Sequence, residues 1–216
     1  LDVSDDGTRV YLAGFFNSVN GDTKHGYYAI TDATTGAPVP GVAAYQPSIG
    51  SNTATYQQAV GETPNGNPVV SGSQHDIQMY NRDRSTLIDS HITKAGGDGQ
   101  SILVTGGYVY VSCHCEDWIY SGTNNFTNPS GRSIDPIRLV GRFDVNTFAY
   151  DTSWYPNALV GEFHEGVWST TMDQNGCLWV SGDLDQGAFS GDAARDWLGG
   201  FARFCAEDST PPTTPG

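Results

Sequence analysis

Asp6-Gly-Thr-Arg-Val-Tyr-Leu-Ala-Gly14 decides the fold: a tight Gly turn, then an alternating apolar strand ending in small residues. After a variable loop, Tyr27-Tyr-Ala-Ile-Thr-Asp32 supplies a second strand that runs into Asp. The same phrase returns as Pro68-Val-Val-Ser-Gly72 with Ile77-Gln-Met-Tyr-Asn81, and as Tyr108-Val-Tyr-Val-Ser112 with Leu139-Val-Gly-Arg-Phe-Asp144. Its last appearance is Cys177-Leu-Trp-Val-Ser-Gly182 with Phe201-Ala-Arg-Phe-Cys205. Sheet units strung along a chain in fixed order are the signature of a radial repeat fold. The expectation is an all-β chain, a β-propeller segment of about four blades with the first and last incomplete.

Within each unit we name the strands A to D from the inner edge outward. Asp5-Asp6-Gly7, Pro64-Asn65-Gly66, Gly106-Gly107 and Asp173-Gln-Asn-Gly176 supply the positive φ of tight turns, so every A–B connection is short. Strand A is expected to be cut in unit one, then to run over 53–60, 101–105 and 167–172. Strand D is expected over 39–45, 85–93 and 149–154, and to be absent from unit four. The B–C connections at 113–137 and 183–199 exceed hairpin norms and read as long loops on one face. Rigid β scaffolds present binding surfaces on such a face. No segment keeps a helical stripe beyond one turn near Ala193-Ala-Arg-Asp-Trp197.

The 216 residues include 24 acids and 10 bases, a net charge of −14. A field of that sign repels phosphate backbones, which argues against nucleic acid and anionic membrane as partners. Charged residues make up 16%, so solubility rests largely on Asn, Thr, Ser and Gly. No apolar run approaches the ~18 residues of a membrane helix. The start at Leu1, without Met, reads as a cut or processed end, and the even cysteine count suits export. Residues 1–208 form the sheet segment, and the Pro/Thr stretch 209–216 reads as a linker towards a further domain.

Residues 6–39 resemble a blade of secreted actinobacterial β-propeller proteins with delta-60-like repeats. Ser112-Cys-His-Cys-Glu116 and residues 166–183 are similar to later blades of that group. Unit two has no counterpart of Asp32-Ala-Thr-Thr-Gly36. The tail Asp208-Ser-Thr-Pro-Pro-Thr-Thr-Pro-Gly216 resembles the approach to a fibronectin type III module. The resemblance implies architecture and an extracellular location, secreted or at the cell surface, rather than an activity.

Cys177 begins strand B of unit four and Cys205 ends strand C, so antiparallel pairing sets them opposite one another and predicts a disulfide. Cys113 and Cys115 are left to pair with each other, bind metal or stay reduced. An oxidising compartment favours the pair. Trp118, Tyr120 and Trp197 fall in the long connections beside Glu116, His164, Glu165, Asp183 and Asp185. Aromatic faces beside carboxylates and amides suit sugars, since rings stack on C–H patches. These eight residues are the candidate ligand site.

A hydrolase would instead use Glu165 and Asp183 as paired carboxylates with His164 as proton shuttle. There is no Gly-x-Ser-x-Gly elbow, His-Glu-x-x-His or phosphate loop. The alternating acids Asp183 and Asp185 lack the later acid of a calcium loop, because position 194 is Ala. No cofactor or metal is expected. The functional expectation is a non-catalytic recognition scaffold for a neutral glycan or extracellular protein, against a carbohydrate hydrolase or a structural spacer. Remaining blades or a partner are expected to cover its open sheet edges.

Overall fold

The computed structural model describes residues 1–50, 55–83, 85–127, 132–154, 159, 166–187 and 196–205. The chain is all-β; the only helical element among the described residues is one 3-10 turn, Thr23–His25. Unit one is the antiparallel sheet β1 (Asp2–Val3), β2 (Arg9–Ala13) and β3 (Tyr28–Asp32). Units two and three share a six-stranded antiparallel meander. It runs β4 (Gln57–Glu62), β5 (Pro68–Gly72), β6 (Asp76–Tyr80), β7 (Leu87–Thr105), β8 (Tyr108–Ser121) and β9 (Ile134–Asp144). Unit four joins β10 (Val167–Met172) and β11 (Leu178–Gly182) to β14 (Phe201–Phe204). Between them a small ribbon pairs β12 (Gln186–Gly187) with β13 (Asp196–Trp197).

The tight turns form where their glycines demand them. Gly7, Gly66, Gly106, Gly107 and Gly176 all take the left-handed backbone that a Cβ disfavours. The turns that follow strand C in units one and three share a second device. Asp32 Oδ1 accepts from the backbone N–H groups of Thr34 and Thr35 and from the Thr35 hydroxyl. Asp144 Oδ1 accepts in the same way from Asn146 and Thr147, so Asp144-Val-Asn-Thr147 is the unit-three form of that turn. These hydrogen bonds to the ionised form hold both carboxyls below the usual carboxylate range.

Three expectations need correction. Strands D of unit two and A of unit three are not separate, because β7 carries the chain continuously through both. Strands D of units one and three do not form as strands; isolated bridges Thr31↔Pro38 and Phe143↔Tyr150 stand in their places. Much of the 113–137 connection is no loop: β8 runs on to Ser121, paired with β7 on one side and β9 on the other. Strand A of unit two begins at Gln57, and residues 53–54 of its expected span lie outside the described residues.

Three apolar clusters join successive units. Tyr11, Tyr28 and Ile30 of unit one meet Val60, Val70 and Tyr80 of unit two. Val69, Ile77 and Met79 on the other face of unit two meet Val109, Val111 and Phe143 of unit three. Tyr110 and Val140 of unit three meet Leu178, Val180 and Ala202 of unit four. Period-two alternation thus sends neighbouring residues of one strand into two different interfaces. Full burial of each Val, Ile or Phe there contributes about 1.5–3 kcal/mol.

Candidate functional site

The site begins at an irregularity in β8. Its residues Ser112 and Glu116 pair with Val140 and Arg138 of β9, so three residues stand opposite Leu139 alone. Leu139 takes φ 60°, a conformation rare for a branched side chain, and is fully buried where the strand bends. Bulges of this kind re-aim side chains. Here Cys113 and Cys115 turn into the core and are bonded to each other, with Cα atoms 5.1 Å apart. His114, between them, faces unit four.

Even-numbered residues of β8 share that side. Tyr110 packs on unit four, and the His114 ring meets the Trp168 ring edge-on at 4.4 Å. Gly166 lies under the same imidazole, since a Cβ there would come within 3.1 Å of it. Farther along, Glu116, Trp118 and Tyr120 face away from the core that buries Ile119. Glu116 is held by Arg138, Oε2 to Nη1 at 2.9 Å. Trp118 lies opposite Pro136, is 43% exposed, and is flanked by exposed Ile134.

A second branch leaves the same point. The Asp183 N–H donates to the Gly166 carbonyl, anchoring the start of the unit-four B–C connection. Leu184 is buried there, while Asp183 is exposed and Asp185 half-buried. The Asp185 carbonyl accepts from the Leu198 N–H and closes the base of the β12–β13 ribbon. Trp197, opposite Gln186, is 80% exposed. Its ring lies over Gly199, where a Cβ would sit 2.7 Å from the indole.

The structure brings His114 onto Trp168 and, through the Gly166 carbonyl, sets Asp183 beside that pair. Trp118, Tyr120 and Glu116 stand on a paired strand rather than on the expected loop. Trp197 likewise belongs to a strand pair. His164 and Glu165 lie outside the described residues, so the paired acids of a hydrolase have no defined separation. Sequence reasoning missed Trp168 and the pairing role of Arg138. Trp168 reads as one residue of a regular strand, and it lies on the side that Thr170 and Met172 turn towards unit three.

Among the described residues no group of three or more His, Cys, Asp or Glu side chains is placed to hold a metal ion. No helix among them is long and apolar enough to cross a membrane. The chain matches no known protein family and no curated protein.

Proposed function

We propose that the chain is a propeller segment acting outside the cell as a non-catalytic recognition module for a neutral glycan. The serial packing of four sheet units through three successive clusters supports the propeller reading. Four cysteines, all bonded, support an oxidising compartment.

One observation carries the ligand reading. Trp118 and Trp197 are 43% and 80% exposed on hydrogen-bonded strand pairs, not folded back under their own connections. Rings held on a sheet lose little conformational freedom when a sugar stacks on them. The flanking carboxylates of Asp183 and Asp185 can accept from hydroxyls, and the acidic field does not oppose a neutral ligand. A neutral-oligosaccharide array probed with the purified chain tests the proposal. Binding that falls with Trp118→Ala or Trp197→Ala supports it, and an array without hits removes the glycan.

A further inference from the structure

The pairing register makes the four B strands comparable residue by residue. Tyr11, Val69, Tyr110 and Trp179 occupy one position, opposite Ile30, Met79, Arg142 and Arg203 on the C strands. Tyr11, Val69 and Tyr110 are each buried against the unit that follows. Trp179 occupies that position in unit four and is 38% exposed. Phe201, on the same face opposite Ser181, is 59% exposed. Between the two rings lies a shallow hollow floored by Ser169, Thr171 and Ser181.

The next residue along strand B faces the other way. Val70, Val111 and Val180 are buried against the unit that precedes them. Leu12 holds that position in unit one and is only half-buried, with Val10 beside it and Val3, exposed, opposite Val10. Unit one thus presents the aliphatic face by which every later unit covers its predecessor. Unit four presents the aromatic face that such a unit covers.

We propose that the Trp179–Phe201 face of one chain docks the Leu12–Val10–Val3 face of a second copy, head to tail. The occupant is argued from continuity with the three interfaces inside the chain, which join the same two register positions. The contact is heterologous: two copies close a ring if their rotations allow, and otherwise the contact propagates. Arg203 is set for the same role as Arg142, which stacks over Tyr108 at 4.2 Å within the buried interface between units three and four. Arg203 lies 5.7 Å over the Trp179 ring. The docking does not rest on the glycan reading, because Trp118 and Trp197 stand on other strands.

Light scattering and sedimentation of the 216-residue chain across a dilution series test it. The chain is expected to form a reversible assembly. Trp179→Glu and Leu12→Glu are each expected to weaken it at least about thirtyfold, the effect of losing a central anchor. An equimolar mixture of the two variants retains one native pair of faces and is expected to give a one-to-one dimer. Trp118→Ala is expected to leave the mass unchanged. Should Trp179→Glu lose its β circular-dichroism spectrum, Phe201→Glu, at a more exposed site, replaces it. A wild-type chain that is monomeric at every concentration overturns the proposal and hands the face to a sheet unit from outside this chain. Variants that fail to complement each other overturn it as well.

Discussion

The Tyr45 hydroxyl donates to Asp76 Oδ2 at 2.6 Å, deep between units one and two. Ser48 Oγ and Gln78 Nε2 donate to the same oxygen, at 2.8 and 2.7 Å. Asp76 Oδ1 has no hydrogen-bond partner, and the whole residue is buried. Burial outweighs the three donors and pushes the carboxyl up from 3.8 to about 6.

A carboxyl raised in this way makes the fold more stable when protonated. Below about pH 4 the folded and unfolded forms both carry the proton. Between about 4 and 6 the unfolded chain ionises first, so stability falls as pH rises, and above 6 the loss is constant. The full effect is about 3 kcal/mol. Urea melts of wild type and Asp76→Asn at the two ends of that window should differ by a gap that moves this far in the variant's favour. A gap that stays constant with pH refutes the argument.

Cys177 and Cys205 are bonded across neighbouring strands, their Cα atoms 4.3 Å apart and one step beyond the Leu178↔Phe204 pair. The bond closes a loop of 28 residues. Cys205→Ser is expected to cost about 2–4 kcal/mol, mainly by freeing the unfolded chain. Non-reducing peptide mapping should recover the 177–205 and 113–115 pairs. A free thiol on any of the four peptides contradicts the pairing, and stoichiometric zinc contradicts it for 113–115.

The tight turns and central strands were legible because Asp-Gly, Asn-Gly and Gly-Gly leave few backbone choices and the strands alternate cleanly. The cysteine pair was legible for the same reason, since antiparallel register follows from the strand ends. The interval 94–100, expected to separate two strands, holds Gly96-Gly97-Asp98-Gly99, a composition poor in strand-forming residues. A side chain at Gly99 would collide with Ser71 Oγ and one at Gly97 with Thr93 Oγ1, so these glycines admit close neighbours inside β7. The stretch 113–121 misled because its outward positions hold His114, Glu116 and Trp118. Its buried residues Cys113, Cys115 and Ile119 carry the strand alternation, interrupted by the bulge. Nothing in the sequence announced that bulge, which brings His114 onto Trp168.

Arg142 and Arg203 share a register position but not an environment. Arg142 donates from Nε and Nη2 to Asp151 Oδ2, at 2.9 and 2.6 Å, with both side chains mostly covered. Its guanidinium also stacks on Tyr108 and Trp154. Arg142→Lys keeps the charge and loses the planar fork, so it is expected to cost about 1–2 kcal/mol. Arg203 is paired with Asp173 at 3.4 Å in a more exposed setting. Arg203→Lys should change the stability of the monomer by no more than about 0.5 kcal/mol. Equal costs in urea melts would show that the two positions are not distinguished by burial.

The Trp197 indole rests on Gly199. Gly199 adopts φ +59°, and a Cβ there would meet the indole at 2.7 Å, so Gly199→Ala must push the ring off its shelf. If a glycan stacks on that ring, Trp197→Ala should weaken binding by about 1–3 kcal/mol. Gly199→Ala should reproduce much of the loss while leaving the indole in the chain. Trp118→Ala is expected to weaken binding over the same range, because its ring also stands clear of the core. Salt should change the affinity little, since a neutral ligand brings no charge to be screened. Calorimetry with the strongest array ligand reads all four variables. A loss for Trp197→Ala with none for Gly199→Ala would mean that the ring acts without its shelf. Indifference to both tryptophans would remove recognition by stacking from this face.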